Sequence, residues 1–253
     1  MCVTFVYISQ NPDAKYKLIL INNRDEFLDR PTSNATWENG ILAGGRDEKE
    51  NERGTWFCMA ADGRISNLLT ITVPLNHMKK DTVTRGVLPI NFLKNECDQY
   101  EMTGLVHHSN EEIEIIKFPP GIYGFGNSPP YEPFKKVQYG VGKMKKIVED
   151  IENKNFSDTE IIEKLLQLAT DKYQCFPDEQ LRQRCGRSNE ICKYRTAIFV
   201  QYPDGIRYGT RSHTITIVDR SNRVTYYEKS MKSGTTKVNE ATWTHQLFHF
   251  HLT

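Results

Sequence analysis

The chain has 253 residues and is almost neutral, with 33 basic and 32 acidic residues. This balance excludes nucleic acid and anionic membranes as expected partners, and no apolar run approaches the roughly 20 residues of a membrane span. The first residues lack the basic and apolar regions of a signal peptide, so we expect a cytoplasmic protein whose six cysteines stay reduced.

Two strand pairs are predicted in the first third of the chain. Residues 3–8 and 16–21 are rich in β-branched and apolar side chains, and Asn11-Pro12-Asp13 between them has turn chemistry, so they predict an antiparallel hairpin. A second hairpin is predicted about Asp62-Gly63, between the segments GTWFCMAA and RISNLLTIT.

Helical patterns follow, and strands return towards the end. Apolar spacing predicts a helix over residues 84–95, with Pro89 near its start, and a second over 157–170, where Ser157 and Glu160 form a capping box. The later predicted strands are TAIFVQY, HTITIVD, residues 224–229 and THQLFHFHL, with turns at Asp204-Gly205 and Ser221-Asn222. This order predicts an α+β fold with antiparallel sheets in one domain, residues 1–253.

Cys2 directly follows Met1 at the head of the first predicted strand. Cells usually remove an initiator methionine that precedes a small side chain, and removal leaves Cys2 with both a thiol and a free α-amine. An α-amine has a pKa of about 8, close enough to neutrality to act as the base for the thiol. The other interpretation is a small buried residue that begins a strand.

Polar residues are concentrated in INNRDEFLDRP, directly after the second predicted strand. We expect this segment where the strand ends and a loop begins, either solvated or preorganised as a site. If the first hairpin forms, the segment lies on the same edge as Cys2. A guanidinium there favours the thiolate and binds a carboxylate through two hydrogen bonds.

Motifs spread over essentially the whole chain resemble the NRDE family of transport-and-Golgi-organisation homologues. They are Met1-Cys2, Asn23-Arg24-Asp25-Glu26-Phe27 with Arg30-Pro31, Gly54-Thr55-Trp56, Thr84-Arg85-Gly86, GIYGFGN ending at Asn127, YGTRSHTITIVD and Glu228-Lys229-Ser230-Met231. The resemblance implies the fold of the N-terminal-nucleophile (Ntn) hydrolases. That fold is an αββα sandwich of two antiparallel sheets flanked by helices.

The resemblance also implies a set of catalytic residues. Related cysteine hydrolases include bile-salt hydrolases and penicillin acylases, in which a mature N-terminal cysteine attacks an amide carbonyl. The matching positions here are Cys2 as nucleophile, Arg24 and Asp25 beside it, Asn127 at the tetrahedral intermediate, Arg211 in the same pocket, and Thr70. Thr70 stands where family members carry an asparagine, so a hydroxyl with one donor replaces an amide with two. Loss of an oxyanion donor lowers the rate by about 10²–10³.

Two functions follow from the resemblance. Family members are linked to moving haem from storage sites or mitochondria and to lipid and acyl-CoA handling. The first is therefore a cytoplasmic haem-trafficking protein, associated with mitochondria or the Golgi, with haem or a similar amphiphile and haem-donor or acceptor proteins as partners. Haem is then transported cargo, without a catalytic cofactor or metal, and its contacts are Cys2, Arg24, Arg211, His107 and His108. The second is an Ntn-type cysteine amidase or thioesterase. Thr70, in the place of the asparagine, favours haem trafficking over hydrolysis.

The remaining candidate ligands have simpler interpretations. His107 and His108 fall in a predicted polar loop over residues 104–112, and a role for His213 beside Arg211 stays open. Three imidazoles alternate onto one side of the terminal strand, where we expect solvent rather than a metal: His245, His249 and His251. Three cysteines lack zinc spacing and are expected as ordinary thiols: Cys175, Cys185 and Cys192.

Overall fold

The structure, a computed structural model, describes residues 1–73, 84–94, 104–108, 113–232 and 240–253, with the backbone alone for 105–108 and 113. The strands are β1 (Val3–Ile8), β2 (Tyr16–Phe27), β3 (Thr36–Glu38), β4 (Ile41–Arg46), β5 (Thr55–Ala60), β6 (Ile65–Asn67), β7 (Gly104–His108), β8 (Ile113–Lys117), β9 (Gly121–Phe125), β10 (Tyr208–Asp219), β11 (Arg223–Met231) and β12 (Trp243–His251). The helices are α1 (Leu88–Lys94), α2 (Lys135–Asn153), α3 (Asp158–Ala169), α4 (Glu179–Cys185) and α5 (Asn189–Arg195).

Two antiparallel sheets stack between helices. The larger has the strand order β12-β11-β10-β2-β1-β9, the smaller has the order β3-β4-β5-β6, and β7 pairs with β8 alone. Helices α2 and α3 pack on the larger sheet, and α1 packs on the smaller one. The layers therefore run helix, sheet, sheet, helix, and the predicted α+β sandwich of two antiparallel sheets is confirmed.

Alternation along the strands divides the core into two layers. In β1, Val3 and Phe5 face the helices, whereas Val6 faces the smaller sheet, as the two-residue period of a strand requires. Each buried aromatic or aliphatic side chain contributes about 1.5–3 kcal/mol. Gly140 of α2 makes room for the Phe5 ring, because a Cβ there would lie 2.0 Å from it. The long helix thus approaches the sheet closely.

Both predicted hairpins are confirmed, but the second strand is longer than predicted. β1 pairs with β2, and β5 pairs with β6 around Asp62-Gly63. β2 continues to Phe27, so Asn22 to Asp25 are buried strand residues rather than the start of a loop. The prediction of a strand end was wrong because β2 lies between β1 and β10, whose Thr4 and Thr210 hydroxyls bond to Asn22 and Asp25.

The predicted helices are also confirmed. Ser157 caps α3 through the expected capping box with Glu160, and a 3-10 turn over Arg85–Val87 leads into α1. The sequence patterns did not predict α2, α4 or α5.

Two local predictions were wrong. TAIFVQY is not a strand, because its backbone bonds to Asp171 and Thr210 in a buried connection between α5 and β10. His107 and His108 belong to β7 rather than a loop, and their side chains lie outside the described residues. GIYGFGN forms strand β9 and then a bend, so Asn127 follows a strand. In the described part of the chain, no helix is long and apolar enough to cross a membrane.

Candidate functional site

Strand register brings three distant motifs together at Cys2. Val3 pairs with Asn23 in β2, so one further step of this antiparallel ladder sets Cys2 beside Arg24. Thr4 pairs with Phe125 at the end of β9, and Asn127 follows two residues later in the bend, at the same end of β1 as Cys2. By strand alternation Cys2 lies on the side of Thr4, which faces the smaller sheet. We call the space between the two sheets at this end the cleft.

The Cys2 thiol is buried next to the N-terminus and Asp25. It is 6% exposed, and its Sγ donates to the backbone oxygen of Asp25 at 3.8 Å. Burial raises the pKa of the thiol, and the nearby N-terminal ammonium opposes this only in part. At neutral pH the group is therefore a thiol rather than a thiolate.

Asp25 faces the opposite side of the sheet and pairs with the N-terminus. Its Oδ2 lies 3.3 Å from the Met1 α-ammonium, and Thr210 Oγ1 donates to its Oδ1 at 2.5 Å. The ammonium also donates to the Tyr208 hydroxyl. With Met1 in place, Asp25 thus neutralises the amine of Met1, and Cys2 has no free amine to act as its base.

Arg24 projects into the cleft, and two of its three guanidinium nitrogens are without a hydrogen-bond partner among the described residues. Its guanidinium is stacked on Trp56, 4.8 Å from the ring centre, and Nη1 donates to the Gly45 carbonyl at 3.3 Å. Among the described residues, Nε and Nη2 have no hydrogen-bond partner, although Arg24 is only 2% exposed. These two groups form one edge of the guanidinium, which is the edge that binds a carboxylate through two parallel bonds. A Cβ on Gly45 would lie 2.1 Å from Nη1, so this glycine leaves space for Arg24.

A chain of hydrogen bonds crosses the cleft next to Cys2. Asn22 Nδ2 donates to Thr4 Oγ1 at 2.8 Å, and Thr4 donates to Asn67 Oδ1 at 2.7 Å. Asn67 Nδ2 in turn donates to the Trp56 carbonyl at 2.9 Å. Asn67 was missed by the sequence analysis, which considered Thr70 alone in this segment. Asn67 is the last residue of β6 and pairs with Phe57 of β5. This position directs the Asn67 amide towards the larger sheet.

Asn127 contacts Thr70 through the backbone carbonyl of the threonine, not through its hydroxyl. Asn127 Nδ2 donates to the Thr70 carbonyl at 2.6 Å, and Thr72 N–H donates to the Asn127 carbonyl at 2.8 Å. Asn127 Oδ1 is buried and finds no partner within the described ranges. The amide is thus held in one orientation, and it keeps a second N–H hydrogen.

Arg211 lies near Arg24 and donates from both Nη atoms, whereas its buried Nε has no hydrogen-bond partner among the described residues. It is the extra residue at a register shift between β10 and β2, and its Nη1 donates to the carbonyls of Phe27 and Arg30 at 2.7 and 2.6 Å. Burial and the charge of Arg24 lower the pKa of Arg211 to about 10. Arg211 therefore lies near Arg24, as predicted, and its hydrogen bonds hold the loop that follows β2.

Glu228 is a buried acid in the cleft that the sequence analysis left without a role. Thr214 Oγ1 donates to its Oε2 at 3.2 Å, and its Oε1 has no partner in the described chain. Burial raises the pKa of Glu228, and the charge of Arg24 opposes the rise. A Cβ on Gly44 would lie 2.6 Å from Oε2, so a glycine again leaves the space. The only sequence signal was its motif with Lys229 and Ser230.

Comparison with known proteins identifies the family. The sequence profile of Transport and Golgi organisation 2 matches residues 1–113 and 97–233. The chain belongs to this family. The Drosophila melanogaster Transport and Golgi organization protein 2 is 29% identical over 269 residues, which cover 91% of this chain and 92% of its own. The Homo sapiens homologue is 28% identical over 265 residues, covering 91% and 93%, and the Bos taurus homologue is 27% identical over 280 residues, covering 97% and 98%.

In this family member, His213 is buried and hydrogen-bonded on the helix-facing side of the sheet, away from Arg24. Asn23 Nδ2 donates to the carbonyls of Ala169 and Ile198, so Asn23 Oδ1 accepts from His213 Nδ1 at 2.7 Å. The ring stacks on Trp243 at 5.4 Å, and burial lowers the pKa of His213 to about 3. The imidazole is therefore neutral, with its proton on Nδ1.

The terminal histidines lie on the exposed side of edge strand β12, as predicted: His245, His249 and His251. Within the described residues, no group of three His, Cys, Asp or Glu side chains is placed to hold a metal ion. A surface depression of about 400 Å³ lies at the far end of β2, lined by Lys15, Asp219 and Arg223 among others. The Arg223 guanidinium there pairs with Asp158 and Asp219.

Proposed function

We propose that this protein handles haem, or a similar amphiphile with carboxylates, by binding it in the cleft near Cys2 and releasing it unchanged. The observation that carries the proposal is the unpartnered Nε and Nη2 edge of Arg24. A buried guanidinium with no partner for two donors is unfavourable alone, and a ligand carboxylate satisfies both donors at once.

The chemistry around the cleft fits a ligand that must be released. Trp56 provides an aromatic surface beside Arg24, and the neutral thiol of Cys2 is a weak ligand for iron. A fixed pair of strong axial ligands would hold haem permanently, whereas a carboxylate contact and a replaceable ligand allow transfer. The proposal includes a cytoplasmic location with haem donors and acceptors at mitochondria or the Golgi, and the relatives' names, which mention transport and Golgi organization, support its Golgi part.

Haemin and its dimethyl ester test the proposal, because they differ only in the propionate carboxylates. We expect haemin to bind the wild-type protein about 10- to 100-fold more tightly than the ester, as for a charge-assisted hydrogen-bond pair. The Arg24→Gln variant should bind both equally, at the affinity of the ester for the wild type. Absorbance titration of the haem band gives all four dissociation constants.

Arg53→Gln is the control, because Arg53 is exposed and pairs with Glu48 away from the cleft. It should leave the preference for haemin intact. Equal binding of haemin and its ester to the wild type would overturn the proposal, as would a preference that survives in Arg24→Gln.

A second function is favoured by the position of Asn127. Asn127 follows the end of β9, the strand that pairs with β1, and its amide retains an N–H that can serve as an oxyanion donor. An Ntn-type amidase or thioesterase then needs Met1 removed, so that the Cys2 amine takes the thiol proton as Sγ attacks the carbonyl. Intact mass of the natural protein tests the first condition. Turnover of acyl thioesters and anilides, lost in Cys2→Ala, tests the second.

A further inference from the structure

Glu228 and Arg24 reach the same short stretch of β4 from different strands of the larger sheet. A Cβ on Gly44 would lie 2.6 Å from Glu228 Oε2, and a Cβ on Gly45 would overlap Arg24 Nη1. Glu228 belongs to β11 and Arg24 to β2, with β10 between these strands. Both side chains are 2% exposed. Two consecutive glycines thus leave room for a buried acid and a buried cation in one part of the cleft.

Each of these two side chains has polar atoms without a partner. Arg24 Nε and Nη2 and Glu228 Oε1 form no hydrogen bond within the described part of the chain. Arg24 Nη1 donates to the Gly45 carbonyl, and Glu228 Oε2 accepts from Thr214 Oγ1 at 3.2 Å. The two opposite charges therefore act on each other without a hydrogen bond that joins them.

The protonation state of Glu228 depends on Arg24. Burial raises the pKa of Glu228, and the charge of Arg24 is the largest of the effects that oppose the rise. The hydroxyl of Thr214 and the backbone N–H groups of Ala35 and Gly45 oppose it further.

Tyr226 is a second titratable group that faces Glu228, two residues away on the same side of β11. Its hydroxyl is fully buried and, like Glu228 Oε1, has no hydrogen-bond partner among the described residues. Burial raises the pKa of Tyr226 well above 10, so the phenol is neutral at physiological pH. Arg24 is therefore the charged group with the largest effect on Glu228.

A ligand carboxylate on Arg24 would reverse this effect. The carboxylate brings a negative charge to the free edge of the guanidinium, which no longer acts on Glu228 as an unopposed cation. Two carboxylates at one buried site repel each other, and the repulsion is relieved when one of them is protonated. A ligand whose binding is accompanied by protonation binds more tightly as the pH falls.

We propose that the cleft takes up a proton on Glu228 when a carboxylate ligand binds to Arg24, and returns it when the ligand leaves. The ionised Glu228, the ligand carboxylate and one proton from solvent give a complex in which Glu228 is neutral and the ligand keeps its charge. Ligand capture is thus favoured at lower pH and release at higher pH. This inference rests on the proposed function, because it requires the contact between Arg24 and the ligand carboxylate.

The pH dependence of the preference for haemin over its dimethyl ester tests the inference. Effects of pH on the iron or the ring are common to both ligands and cancel in the ratio of their dissociation constants. In the wild type, the preference should fall at least about fivefold between about pH 6.5 and pH 9, as Glu228 becomes ionised in the free protein. In Glu228→Gln it should stay constant within about twofold, because glutamine remains neutral.

Calorimetric titration in buffers of different ionisation enthalpy counts the protons directly. At the pH where the preference falls most steeply, haemin should take up a measurable fraction of a proton in the wild type, up to about one. The ester should take up none, and neither ligand should take up any in Glu228→Gln. Glu149→Gln, on the exposed side of α2, is the matched control and should behave as the wild type does.

The outcomes separate this inference from the proposed function. A preference for haemin that is independent of pH in the wild type, or equally dependent on pH in Glu228→Gln, overturns the inference and leaves the proposed function standing. Equal binding of haemin and its ester at every pH overturns both. If Glu228→Gln does not fold, the comparison of proton uptake between haemin and its ester in the wild type decides.

Discussion

On the helix-facing side of the six-stranded sheet, Asn23 and His213 Nδ1 are hydrogen-bonded, Asp25 Oδ1 accepts from Thr210, and Asp25 Oδ2 is held by its ion pair with the N-terminus. On the other side, Arg24 Nε and Nη2, Glu228 Oε1 and Asn127 Oδ1 are equally buried and have no partner in the described structure. Consecutive residues of β2 thus enter two different environments. The paired side stabilises the fold, and the unpaired side is the one suited to a ligand.

This contrast makes residue-by-residue expectations possible within a single strand. A substitution on the helix-facing side should chiefly lower the free energy of unfolding. A substitution in the cleft should act chiefly on ligand affinity. The predictions below challenge that division, in order of decreasing expected effect.

Asp25→Asn should give the largest loss of stability. It leaves the Met1 ammonium buried without a counter-charge, and removing one partner of a buried pair lowers the free energy of unfolding by about 3–5 kcal/mol. Urea denaturation of protein that retains Met1 measures the change. The matched control is Asp29→Asn, whose exposed pair with Arg207 should contribute less than about 1 kcal/mol. Similar losses in both variants would contradict a stabilising role for the buried pair.

His213 should make the fold sensitive to acid. Its pKa is about 3 in the folded chain and 6.5 when free, so folding favours the neutral ring. The neutral ring contributes fully to the free energy of unfolding above the pKa of the free imidazole. This contribution is lost as the pH falls from there towards 3, and the total loss is on the order of 4 kcal/mol. Urea denaturation between about pH 7 and pH 4 should show a shallower pH slope for His213→Gln than for the wild type. His245→Gln, on the exposed strand, controls for loss of an imidazole, and parallel slopes for wild type and His213→Gln would refute the prediction.

Gly45→Ala should affect the cleft through Arg24. Gly45 has φ 52°, and an added Cβ would meet Nη1 at 2.1 Å. Gly40 has φ 75° with nothing within 4 Å of its Cβ position, so Gly40→Ala introduces similar backbone strain without a clash. Gly40→Ala should lower the free energy of unfolding by about 1 kcal/mol and Gly45→Ala by about 2–3 kcal/mol. Only Gly45→Ala should also reduce the preference for haemin over its ester. If both glycine variants keep that preference, the position of Arg24 does not depend on Gly45.

Ser157→Ala should have the smallest effect. Ser157 accepts from Glu160 N–H at the start of α3, and loss of such a cap lowers the free energy of unfolding by about 1 kcal/mol. Ser188 begins α5 without a side-chain cap bond, so Ser188→Ala should change stability by less than about 0.5 kcal/mol. Thermal or urea unfolding compares the pair, and haemin binding should be the same in both variants.

Much of this architecture was predictable from local patterns. Composition predicted β1 and residues 224–229 of β11, the turn residues predicted both hairpins, and Ser157 with Glu160 predicted the start of α3. The hairpin also predicted correctly that the Arg24 segment lies beside Cys2. These features depend on neighbours in sequence, which a single chain displays directly.

The rest depends on contacts between distant residues. The polar run from Asn22 to Asp25 was mistaken for a strand end, because the hydroxyls that bond to Asn22 and Asp25 come from β1 and β10. TAIFVQY has the composition of a strand but is buried as a connection. Glu228 lies close enough to Arg24 to interact with its charge only because β11 passes near β2 in the folded chain. No spacing in the sequence predicts this contact.

The burial of the Met1 ammonium has a practical consequence for recombinant work. An affinity tag fused before Met1 replaces the ammonium with a neutral peptide group and forces additional chain through a site that is almost closed to solvent. Thr253, by contrast, is exposed at the other terminus. Purification handles belong on the carboxyl end, and binding data from amino-terminal fusions describe a molecule with an altered interior.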